Sequence, residues 1–98
     1  MRQSGLPAIH PGAFLAEILA EFCLSQADLA HAIDVSPMRI SHVVNGGRPV
    51  TADLALRLSK ALGQSPEYWL NLQLAYDLVT ARKAAAQSLK RIETLTSA

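Results

Sequence analysis

Between Pro37 and Arg48 the chain reads PMRISHVVNGGR, and Arg39, Ser41, His42, Asn45 and Arg48 all carry hydrogen-bond donors. Arginine can pair bidentately with guanine O6 and N7. His42 can donate to a base or a phosphate, and Met38 can touch a thymine methyl. Gln26, Ser36 and Asn45 fall near expected helix ends, where anions are favoured, and Arg48 in the following turn adds a cation. Each residue also has a plainer reading: Met38, Arg39 and His42 as ordinary surface, Asn45 as a helix end, Gln26 as a good first-turn residue. The case for recognition rests on their sharing one face. Catalysis is not expected. His10, His31 and His42 lack metal-ligand spacing, and there is neither an activated-nucleophile signature nor a Gly-rich phosphate loop. No metal, cofactor or small-molecule ligand is therefore expected.

A shared face requires a short helix, held from behind and polar in front. Stepping roughly 100° per residue, Ile40, Val43 and Val44 fall within about 100° of one another and form a back. Met38, Ser41, His42 and Asn45 take the front, with Arg39 at the edge, roughly 85° from its centre. Ser36 caps this helix and Pro37 takes its first position, where a missing N–H costs nothing. Gly46 and Gly47 end it. The preceding helix starts at Ser25, with Asp28 three residues on in a capping-box arrangement, and buries Leu29, Ala30 and Ile33. The two are joined by IDVS, which predicts a helix-turn-helix unit that offers its second helix to a major groove.

The remaining elements hold that unit. Residues 1–10 read as an irregular arm, with His10 or a neighbour capping a first helix over about residues 11 to 23. Phe14, Leu15, Ile18, Leu19 and Phe22 are its apolar face, with Glu17 and Glu21 opposite. Cys23 is expected to be a buried small hydrophobe. Thr51 caps a fourth helix facing inward through Leu54, Ala55, Leu58, Ala61 and Leu62, with Arg57 and Lys60 outward and Gly63 as its stop. Ser65 and Pro66 start a fifth. It has two apolar stripes: Trp69, Leu72, Tyr76 and Val79, and then Leu70, Leu74 and Leu78. One core covers one stripe, so Leu70, Leu74 and Leu78 are expected to meet a second copy. The predicted architecture is all-α, with a helix-turn-helix domain over 11–79 and a helical extension or tail over 80–98.

Composition agrees with this. The 98 residues suffice for one modest core, and half are apolar with few aromatics. A net charge of +1 does not by itself identify a partner. A single cysteine excludes an intramolecular disulfide and suits a reducing cytoplasm. No run approaches the ~20 apolar residues of a membrane span, and the N-terminus lacks a signal-peptide pattern.

The stretch from SQADLA through SPEYWLNLQLAYDL resembles the Cro/lambda-repressor (XRE) type of helix-turn-helix protein. HPGAFLAEIL at 10–19 and SPEYWLNLQLAYDL at 65–78 make it similar, more narrowly, to the HigA-type antitoxins of toxin–antitoxin modules. The resemblance implies a five-helix lambda-repressor-like domain that binds inverted-repeat operator DNA as a homodimer. It also implies neutralisation of a partner toxin similar to a RelE-type mRNA endoribonuclease. Carried over residue by residue, Pro37, Met38, Arg39, Ser41 and His42 meet bases, while Gln26 and Asn45 meet phosphates. The chain departs from the pattern at Asp34, where the inter-helix turn usually has Gly. Pro37 brings no polar group to the first recognition position. A stand-alone repressor without a toxin partner is the alternative, and a protein-binding module that has lost DNA binding is a more distant one.

Overall fold

A computed structural model describes residues 8–96. Residues 1–7 of the expected arm lie outside the described residues, as do 97 and 98. All regular structure within this span is helical: α1 Pro11–Glu21, α2 Gln26–Ile33, α3 Pro37–Val44, α4 Ala52–Leu62, α5 Pro66–Ala84 and α6 Ala86–Lys90. The first five match the expectation. The segment after residue 79, left open by the sequence, continues α5 as far as Ala84 before a short, exposed sixth helix.

Helix starts follow side-chain chemistry. His10 Nδ1 accepts from the Gly12 N–H at 2.9 Å, which satisfies one of the orphan donors of the first turn. At α2 the capping box is complete, with Asp28 N–H donating to Ser25 Oγ and Ser25 N–H to Asp28 Oδ2. Ser36, Thr51 and Ser65 accept from the third residue of α3, α4 and α5.

The first three helices stop with one geometry. Leu24 N–H reaches Leu19 O, Val35 N–H reaches Ala30 O, and Gly47 N–H reaches His42 O, at 2.8 to 3.0 Å. These are Schellman turns, each with a left-handed residue one position earlier. That residue is Gly46 after α3, but Cys23 (φ 56) after α1 and Asp34 (φ 60) after α2. Asp34 thus forms the turn usually made by Gly, at some cost in strain.

Helix α1 ends at Glu21 rather than near residue 23. The left-handed turn carries Phe22 and Cys23 off the core. Phe22 is 59 % exposed and Cys23 is exposed, contrary to the burial expected of both. Ala61, expected inward, is exposed near the end of α4.

The core is aliphatic around one indole. Leu15, Leu29, Ile40, Val43, Leu54, Leu58 and Trp69 are almost wholly buried, joined by Leu19, Ala30, Ile33, Val50 and Ala55. Helix α1 lies close against the end of α3. A Cβ built on Gly12 would sit 1.9 Å from Val43 O, so no side chain fits there. Buried Gln73 of α5 accepts the Val50 N–H at 2.7 Å and donates to Asp77, which ties the loop after α3 to α5. Trp69 satisfies its own N–H on Gln64.

Candidate nucleic-acid interface

The back of α3 is closed and its front is open. Ile40 and Val43 are fully buried, and Val44 packs against the same cluster. Pro37, Met38, His42 and Asn45 are exposed, Met38 by 68 %, and Ser41 is half-buried beside them. The front of α3, with its donors and one flexible apolar group, therefore faces solvent, as the angular spacing predicts.

The flanking residues lie at helix ends. Gln26 is the first residue of α2, half-buried, directly after its cap. Ser36 is exposed and its hydroxyl accepts from Arg39 N–H, so its proton is free to be donated outward. Asn45 caps the C-terminus of α3, and exposed Arg48 follows, its N–H donating to His42 O at 3.2 Å. Gln26 and Pro37 open α2 and α3, whose first turns favour anions.

Arg39 is the residue whose surroundings the sequence left unread. Its side chain is 28 % exposed; Nη2 donates to Thr51 Oγ1 at 3.1 Å, and Nη1 lies 3.6 Å from Asp53 Oδ2. Asp53 also binds Arg57 Nε at 3.1 and 3.2 Å. Arg57, expected to face out, sends Nη1 back to Ile33 O at 2.9 Å, at the end of α2 where the turn to α3 begins. A chain of contacts thus runs from that turn, across α4, to the recognition face. The i,i+4 spacing of Asp53 and Arg57 was a visible signal. The contacts to Arg39 and to Ile33 O span 12 or more positions, and no local pattern indicates them.

On α5, Trp69 is buried and Leu72, Tyr76 and Val79 are partly covered, as expected of the inner stripe. Of the outer stripe, Leu70 packs partly on this chain's own core, whereas Leu74 and Leu78 are 55 % and 42 % exposed. Among the described residues, no three His, Cys, Asp or Glu residues group to hold a metal ion, and no helix is long and apolar enough to cross a membrane.

The family described as Helix-turn-helix matches residues 15–69. The antitoxin HigA-1 of Vibrio cholerae is 34 % identical over 97 % of this chain and 90 % of its own. The chain belongs to the helix-turn-helix family, as a HigA-type antitoxin. Virulence-associated protein I of Dichelobacter nodosus is 48 % identical over 80 % of the chain and 73 % of that protein. The structure of Pseudomonas aeruginosa antitoxin HigA with higBA promoter superposes with a TM-score of 0.87 at 39 % identity, covering 92 % of this chain and all of that one. The family is one of helix-turn-helix antitoxins and regulators rather than of enzymes.

Proposed function

We propose that this antitoxin binds operator DNA in its own promoter, represses its operon, and neutralises a partner toxin similar to a RelE-type mRNA endoribonuclease. The observation that carries the DNA half is the exposed front of α3 over a fully buried back. In this reading α3 enters the major groove, with Pro37, Met38, Arg39, Ser41 and His42 at base edges. Gln26, Ser36, Asn45 and Arg48 meet the phosphates on either side. The solved Pseudomonas aeruginosa relative, with its promoter, supports this half. The toxin half is supported by the antitoxin relatives alone.

Two copies act together. Leu74 and Leu78, one turn apart on α5, leave an apolar stripe open, with Leu70 at its margin. Closing it on a second copy gives a homodimer, and inverted half-sites about 34 Å apart, one turn of DNA, or a multiple of that.

The test compares DNA from upstream of the chain's reading frame with random duplex in a gel shift. Alanine at Met38, Arg39 and His42 together abolishes the preference; a retained preference removes α3 as the reader. Leu74→Glu weakens both the dimer, by sedimentation, and promoter binding; a monomer that still grips the promoter tightly refutes the dimer. The product of the adjacent reading frame co-purifies, and its toxicity is suppressed on co-expression. A neighbour that is neither toxic nor co-purified leaves the stand-alone repressor.

A further inference from the structure

We infer that Asp53 is a positioning residue for base readout, holding the Arg39 guanidinium toward a base edge and away from phosphates. The inference rests on the assignment of Arg39 to base reading above. Arg39 stands at the edge of the outward face, so where its long side chain reaches depends on what tethers it. The tether is Thr51 Oγ1 at 3.1 Å and the Asp53 carboxylate at 3.6 Å. Asp53 is itself fixed. Both of its oxygens accept from Arg57 Nε, and Arg57 is anchored on Ile33 O. The attitude of Arg39 is thereby referred to the turn that sets the angle between α2 and α3.

A guanidinium has five N–H donors. The Thr51 bond takes one of them and the Asp53 contact faces another nitrogen, so donors remain for O6 and N7 of a guanine. An untethered arginine at a DNA surface finds phosphate first, because phosphates are present on every sequence. The carboxylate opposes that outcome in two ways. Its charge offsets the cation and repels phosphate oxygens. Its hold also reduces the rotamer freedom that Arg39 loses on meeting a base. Both effects lower affinity for random DNA more than for the correct site. Thr51 supplies a fixed point but no charge, so only Asp53 can supply the electrostatic half.

The experiment measures affinity for the upstream duplex and for random duplex of equal length, in the full chain, with folding checked by thermal unfolding. Asp53→Asn keeps the shape and an oxygen for Arg57 while removing the charge. It raises affinity for random DNA and lowers the ratio of upstream to random binding by about three- to fivefold, the scale of a partly exposed ion pair. Asp53→Glu returns the ratio toward its original value. In an Arg39→Ala background Asp53→Asn leaves the ratio unchanged, since there is nothing left to position. A merely structural role would weaken both DNAs together and leave the ratio intact. If Arg39→Ala lowers the ratio and Asp53→Asn does not, the inference alone is overturned. If Arg39→Ala leaves the ratio unchanged, the base-reading assignment falls and takes the inference with it.

Discussion

Replacing Gly12 by alanine changes one hydrogen to a methyl and tests how the recognition helix is held. The added Cβ would meet Val43 O at 1.9 Å, with Val43 C and Val44 O at 2.9 Å. Real Cβ contacts essentially never fall below 3.0 Å, so α1 and α3 must separate by at least about 1.1 Å there. The obstacle is backbone, so no rotamer change relieves it. The retreat would open contacts around Leu15, Ile40 and Val43, all fully buried. Overpacking of this kind costs about 1–3 kcal/mol, and the lost contacts add to it. Alanine recovers up to about 1 kcal/mol of helix propensity. The lost contacts and the recovered propensity oppose each other, so the net expectation is a loss of about 1–3 kcal/mol, out of the roughly 5–15 kcal/mol typical of a domain. Urea unfolding followed by circular dichroism measures it. Gly47→Ala is the control, because its Cβ would make an ordinary contact of 3.5 Å with His42 O. Gly12→Ala should also weaken promoter binding beyond its effect on stability, since the moved element is the C-terminal half of α3. Equal stability for the two variants would refute the reasoning.

Cys23→Gly, at an exposed left-handed residue with φ 56, should stabilise the chain by about 1 kcal/mol in urea; destabilisation would mean that the thiol makes a contact worth more than the strain. Gln73→Leu should cost about 1–3 kcal/mol by thermal unfolding, because the Val50 N–H loses its 2.7 Å partner in a buried place. Arg48→Ala should reduce the salt slope of DNA binding by about one, whereas Gln26→Ala weakens promoter and random DNA alike at nearly constant slope; a changed slope for Gln26 would place it elsewhere.

What was legible in the sequence was local. Ser25, Ser36, Thr51 and Ser65 announced helix starts because a cap bonds within three residues. The back of α3 followed from angular spacing alone. Phe22 and Cys23 misled because hydrophobicity suggested that α1 continues, while its stop depends on a left-handed turn that carries no glycine to mark it. Nothing local marked Gln73, a polar residue within the apolar run of α5. It is buried because a loop N–H 23 positions away needs an acceptor. Gly12 carries no local signal of its role, and only the approach of α3 shows why it must be small. The Arg39–Asp53 contact was hidden for the same reason: its partners meet only after α4 has folded back.

The attitude of α3 is set almost entirely from behind and from its ends. At the N-terminus, Ser36 caps the helix and Arg57 holds the carbonyl of Ile33, where the turn before it begins. At the C-terminus, Gly12 admits α1 against Val43 O, and Gly46 turns the chain beside the His10 ring. In the middle, Ile40 and Val43 are locked in the core. None of these supports uses Met38 or His42, which stand exposed on the front. Changing those two side chains therefore alters what the helix offers to a groove without altering where it points. Arg39 is different: it carries both jobs, reaching across to Thr51 and Asp53 while standing at the edge of the reading face. Substitution there removes the α3–α4 contact and the readout together, whereas Asp53→Asn keeps the Arg39–Thr51 bond and removes only the charge beside it.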